Sequence, residues 1–147
     1  MGTVPNLPNL PPSTVLAFDF GAKRTGVAVG NSLTRSAQTL KTIHEEAKQA
    51  RFLAVSALVR EWQPDLLVVG RPCHPDGTLH EMTRRAEKFG RALEAQLRLP
   101  VKFVDERYSS AIAEVAAAND VDAAAACIIL LQYFDESTHL PSHAAND

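Results

Sequence analysis

Residues 14–30 read TVLAFDFGAKRTGVAVG, two short apolar runs, Val15–Phe20 and Thr25–Gly30, on either side of a turn that opens at Gly21. Runs of this length, rich in β-branched and aromatic residues and closed by glycine, predict strands, and so short a connection predicts that they pair antiparallel. The first run ends with one ionisable residue, Asp19, and the turn adds Lys23 and Arg24. A carboxylate set among Phe18, Phe20 and Gly21 is costly to bury unless it meets a cation or hydrogen-bond donors. The hairpin therefore starts a sheet and marks a candidate site in the same few residues.

Working outward, Gln38–Ile43 is a weaker third apolar run and completes an antiparallel meander. Ala47, Ala50, Ala54, Leu58 and Trp62 recur at helical spacing, Pro64 stops that helix, and Leu66–Val69 is a fourth strand. Thr78 with Glu81 forms a capping box before a helix faced by Met82, Ala86, Phe89, Leu93 and Leu97, although Gly90 weakens it. Pro100 ends that helix. Val101–Val104 is a fifth strand, and the stretches Ala111–Ala118 and Asp122–Phe134 read as two alanine-rich helices. The order βββαβαβαα predicts an α/β domain: a mixed five-stranded sheet with helices on both faces, the layout of a ribonuclease H-like fold. Strands 1 and 4 would be central neighbours, placing Asp19 at a crevice suited to a site.

The domain is expected to span residues 14–136. Residues 1–13, with prolines at 5, 8, 11 and 12, read as a flexible leader, and residues 137–147 as a flexible tail. With 147 residues, 46% of them hydrophobic and 22% charged, the chain can hold a core without disulfides or a structural metal. Its two cysteines, Cys73 and Cys127, match no zinc or redox spacing, no secretory segment opens the chain, and no apolar run reaches membrane-spanning length. A cytoplasmic protein without a membrane partner is the expectation. The net charge of −2 hides a polarity: all 15 Lys and Arg precede residue 109, after which there are six acids and no base. A basic face for nucleic acid is thus compatible with the average.

Asp19-Phe20-Gly21-Ala22-Lys23-Arg24-Thr25-Gly26-Val27-Ala28 resembles the opening motif of the YqgF (RuvX) family, described as Holliday-junction-resolvase-like and as a pre-16S rRNA nuclease. Further matches follow in order: Glu61-Trp62-Gln63-Pro64-Asp65, Val68-Val69-Gly70-Arg71-Pro72, Asp76-Gly77-Thr78, Asp105-Glu106-Arg107-Tyr108-Ser109-Ser110, and Val121-Asp122. Each is weak alone, but five in order over residues 14–135 are specific. The resemblance implies a nuclease acting on precursor ribosomal RNA or on branched DNA. One departure stands out: relatives carry a longer, Lys-rich segment where Ala116–Asp120 passes almost directly into Val121-Asp122.

In-line cleavage of a phosphodiester needs an activated water and a stabilised leaving oxygen, which two divalent ions supply when carboxylates converge to hold them. Asp19 and Asp122 are two such carboxylates, Asp122 being the single charge in an otherwise apolar helical stretch that runs to Leu131. Asp120 is a rival that helical geometry turns to a different face. The third is Glu106 or Asp105; in related resolvases an acid ends strand 4, and here Gly70 stands in that place. Strand 5 would lie about 10 Å from strand 1, which favours the longer Glu106, but alternation alone cannot say which face of the strand opens to the site. Mg²⁺ or Mn²⁺ would be held by Asp19, Glu106 and Asp122. The bland alternatives are a turn-capping Asp19, a dipole-stabilising Asp122, and an exposed acidic turn paired with Arg107.

Lys23, Arg24 and Arg107 are candidate phosphate contacts. Arg84, Lys88 and Arg91 form a basic stripe at i, i+4 and i+7 that suits a backbone or is simply the solvated side of a helix. Arg71 stands where relatives tend to be apolar, and it offers charge to replace the missing basic segment. The leading expectation is a metal-dependent endonuclease, as monomer or homodimer. Two others are a Holliday-junction-type resolvase and a non-catalytic nucleic-acid-binding or transcription-associated factor. An ATP-using enzyme of the actin and sugar-kinase type is opposed by length, since those proteins pair two such domains.

Overall fold

The computed structural model describes residues 13–72, 81–106 and 121–144, the side chains of Val121 and of 137–144 excepted. Residues 1–12 of the expected leader, Cys73, the Asp76-Gly77-Thr78 motif, Arg107, the Ala111–Ala118 helix and Asp120 lie outside the described residues. Five strands are present: β1 (Thr14–Phe20), β2 (Thr25–Asn31), β3 (Ser36–Ile43), β4 (Leu66–Arg71) and β5 (Val101–Asp105). Three helices accompany them: α1 (Lys48–Trp62), α2 (Glu81–Leu97) and α3 (Val121–Ala144). Among the described residues no helix is long and apolar enough to cross a membrane.

The strands lie in the order β3-β2-β1-β4-β5, with β1–β2 and β2–β3 antiparallel and β1–β4 and β4–β5 parallel. The central strands β1 and β4 are buried over most of their length because helices cover both sides, which is why Leu66–Val69 reads as an unbroken apolar run rather than an alternation. Leu16, Phe18, Phe20, Leu67 and Val69 face one way, into a layer with Val55, Leu58, Ala86 and Leu93 of α1 and α2. Val15, Ala17, Leu66, Val68 and Val104 face the other, against Ala126, Ile129, Leu130 and Phe134 of α3.

Two helices depart from expectation. On α1 the buried stripe is Arg51, Val55 and Leu58, one position on from the alanine face, and Ala47 is exposed. An arginine can take a buried position when its stem packs and its head finds acceptors, and both conditions hold here, as shown below. Helix α3 runs to Ala144, past the expected Phe134 end. It contains no glycine to terminate it in the usual left-handed cap. Gly90, which seemed a weakness in α2, is where the Phe103 ring packs: a Cβ there would lie 2.7 Å from it.

Candidate active site at the carboxyl edge of the sheet

Strand alternation brings the acids together. In β1, Val15 and Ala17 face α3, so Asp19, two residues further on, shares that face. In β5, Val104 faces α3 while Phe103 packs with the α1 and α2 layer, so Glu106 follows Val104 and Asp105 follows Phe103. The ladder persists past the end of β5, because the Glu106 amide donates to the Arg71 carbonyl at 2.9 Å. Asp122 arrives from the first turn of α3 on the same face.

One row across the sheet explains how residues from β1, β5 and α3 can meet. Asp19 is paired with Gly26 on β2 and with Gly70 on β4, and Gly70 is paired with Val104. A Cβ at Gly26 would collide with the backbone of Asp122 and Ala123, so the missing side chain is what seats the start of α3 there. A Cβ at Gly70 would collide with Ile129 and lie 3.1 Å from Cγ of Glu106. The glutamate therefore crosses above Gly70 towards Asp19, a gap that a strand-4 side chain would close.

Electrostatics follows from that crowding. Burial, the Glu106 charge, a hydrogen bond with Glu106 and the Asp122 charge together push the Asp19 carboxyl from 3.8 up to about 8. Burial also raises Glu106, although its hydrogen bond with Asp19 works in the opposite direction. The pair thus shares a proton, which Asp19 donates. Asp122 is held differently, by Arg24 Nε at 3.3 Å in a largely exposed ion pair that contributes little stability. Among the described residues no group of three or more His, Cys, Asp or Glu side chains is gathered closely enough to hold a metal ion as it stands. The arrangement is a proton-sharing pair with a third acid turned aside by an arginine.

The other expected residues divide. Asp105 is set apart from the other acids: its oxygen Oδ1 accepts from Arg71 Nε at 2.9 Å and Nη2 at 2.6 Å, on the opposite face from Asp19. Arg71 also donates from Nη1 to Glu87 of α2 at 2.6 Å, so it clamps β4, β5 and α2 instead of offering free charge to a substrate. Lys23 and Arg24 are exposed on the β1–β2 turn beside the acids. The basic stripe of α2 splits: Arg84 and Lys88 look towards α1, whereas Arg91 lies over the Phe103 ring at 5.9 Å. Arg107 lies outside the described residues.

Arg51 was missed by sequence reasoning. It is 4% exposed, donates from Nη2 to the Ala22 carbonyl at 2.6 Å and from Nε to the Glu45 carbonyl at 3.1 Å, and stacks over Phe20 at 4.6 Å. It fixes the turn that follows Asp19 from the opposite side of the sheet. The available signal was a charge at helical spacing from Val55 and Leu58, a position where a merely solvated arginine is not expected.

Residues 13–136 match the family model described as "RuvX: Holliday junction resolvase". A Paraburkholderia phymatum protein named "Putative pre-16S rRNA nuclease" is 54% identical over 129 residues, covering 84% of this chain and 85% of its own length. A Burkholderia mallei protein of the same name is 53% identical over 137 residues, covering 89% and 92%. Among solved structures, T. thermophilus RuvC in complex with a Holliday junction superposes with a TM-score of 0.62 at 14% identity, covering 86% of this chain and 96% of its own. That likeness establishes the shared fold.

Proposed function

Because the chain belongs to the RuvX family, we propose that it is a nuclease hydrolysing phosphodiester bonds in precursor 16S ribosomal RNA, in the cytoplasm, with divalent metal held by Asp19, Glu106 and Asp122. The observation that carries this reading is the Asp19–Glu106 pair crossing above Gly70, with Asp122 seated over Gly26. Two recessed carboxylates that must share a proton lack a counter-charge. Hard oxygen donors of this kind suit Mg²⁺ or Mn²⁺. When bound, such ions supply an activated water and stabilise the leaving oxygen.

The chain's own residues have separable tasks. Asp19 and Glu106, once without their shared proton, would hold the dication together with Asp122. Arg24, which pairs with Asp122, stands with neighbouring Lys23 on the turn where a substrate phosphate would be received. Arg51 holds that turn through the Ala22 carbonyl, so phosphate contacts and carboxylates keep one spacing. Arg71 and Asp105 brace the end of β5 and so aim Glu106.

The test is cleavage of single-stranded RNA, precursor 16S RNA and four-way DNA junctions with Mn²⁺, comparing wild type with Asp19→Asn and Asp122→Asn. Cleavage of the RNA precursor that is lost in both variants is the expected result. Cleavage retained by Asp19→Asn would sink the carboxylate mechanism. Preference for the junction would move the assignment to a resolvase, which requires a two-fold homodimer where an RNA nuclease can act as a monomer. The Arg24–Asp122 pair favours one second reading, a binding factor whose third acid is permanently neutralised. It predicts binding without turnover in every lane.

A further inference from the structure

On the face of the sheet opposite the acids, α1 and α2 frame a groove of about 1000 Å³. It meets the active-site edge at Phe20, the residue after Asp19, which alternation turns into this layer. The guanidinium of Arg51 lies 4.6 Å and that of Arg85 5.8 Å from the Phe20 ring centroid. Arg84 and Lys88 stand exposed along the α2 wall, and Lys48 on the α1 wall. Against these five cations the lining holds two carboxylates, Glu46 and Glu81. Among the described residues none of the five makes an ion pair with a carboxylate.

A solvated helix face ordinarily alternates charge at i and i+4, because like charges there repel. Arg84 and Lys88 break that pattern. Arg51 is a buried guanidinium whose hydrogen bonds go to carbonyl oxygens, and burial together with the neighbouring Arg85 charge lowers its pKa, with the Glu46 charge opposing them. Five cations against two carboxylates leave an excess of positive charge that suits an anion. The apolar wall adds a second requirement, since Leu53 is 60% exposed beside the half-buried Phe52. Flat apolar groups and phosphates in alternation satisfy both, and that combination is a single-stranded nucleic acid.

We propose that the α1–α2 groove is a path for single-stranded nucleic acid, phosphates against Arg84, Lys88 and Lys48 and bases against Phe52 and Leu53, carrying the strand away from the edge where Asp19 stands. This rests on the nuclease reading for its purpose but not for its test. The test is binding of fluorescein-labelled single-stranded and duplex RNA of equal length, with a chelator present so that nothing is cut, to wild type and to Arg84→Glu/Lys88→Glu. Both residues are exposed, and an unchanged Tm verifies the fold of the variant. Single-strand affinity is expected to fall at least about tenfold and the logarithmic salt slope to shrink by about 1.4, two phosphate contacts' worth. Phe52→Ala is expected to weaken single-strand binding with the salt slope kept. Unchanged single-strand affinity in the double variant would overturn the proposal and leave the groove to an acidic protein segment. An equal loss for duplex would also overturn it, as a general field effect. Failure of the cleavage assay with groove-dependent binding intact would strike the nuclease reading and spare this one.

Discussion

Asp105 and Glu106 are adjacent in the chain, share one strand end, and have opposite fates. On the α1 and α2 side, Asp105 is answered by Arg71, which also takes Glu87, so every charge in that cluster has a partner. On the α3 side, Glu106 meets another carboxylate, and the two are stabilised only by a shared proton. The difference separates charge that the fold neutralises with an arginine from charge that it leaves to a shared proton. Partnered acids brace the sheet; crowded acids at a glycine-lined gap point to function.

The sharpest way to break the comparison is to neutralise one acid on each side. Asp19→Asn is expected to lower RNA cleavage by about a thousandfold, roughly 4 kcal/mol of transition-state stabilisation. Asp105→Asn is expected to lower it by a few-fold at most, through looser aiming of Glu106. Equal losses would erase the distinction.

Next in size is the seat of α3. Gly26→Ala puts a methyl into the Asp122 backbone and is expected to cost about 1–3 kcal/mol, a fall in Tm of several degrees for a domain this size. An unchanged melting curve would mean that α3 does not rest on that glycine.

Titration sharpens the comparison further. In the folded, metal-free protein the Asp19 carboxyl keeps its proton to about pH 8, whereas in the unfolded chain it releases it near 3.8. The folded state therefore binds more protons between those values, and stability contributed by the pair is present at low pH and lost as pH rises through that window. Chemical denaturation in chelator at pH 5 and pH 8 is expected to show a loss of about 4 kcal/mol from this source, smaller in Asp19→Asn. Saturating Mg²⁺ should reverse the trend, because uptake of the cation competes with the proton. A flat profile would contradict the shared proton.

The smallest effect belongs to the partnered side. Arg71→Met keeps the packing stem, loses a half-exposed ion-pair cluster, and is expected to cost about 1 kcal/mol or less. A larger loss would give the clamp more structural weight than its exposure suggests.

Much of this was legible before any coordinates. The hairpin, the five strands and their order follow from apolar runs separated by Gly and Pro, signals that act locally and survive folding. Asp19 stood out because a lone acid in a buried strand has no cheap explanation. The choice between Asp105 and Glu106 was not readable, since alternation gives relative faces while only α3, from the far end of the chain, decides which face forms the site. Gly70 looked like a missing ligand and is instead the opening through which Glu106 passes. Arg51 escaped notice because its charge masked a core position, and the pairing of Arg71 was not readable because Asp105 and Glu87 lie on other elements.

The seating of α3 on Gly26 also has a consequence in time. Asp19, Glu106 and Asp122 emerge from the ribosome in that order, and the last waits for the helix that covers Val15, Ala17, Leu66 and Val68. A nascent chain that has folded its sheet is thus still without its third acid, and still shows an apolar face. Domains form from the N-terminus as synthesis proceeds. The closing of the hydrophobic layer and the delivery of Asp122 to the edge beside Asp19 are therefore one event, timed by the last helix to be made.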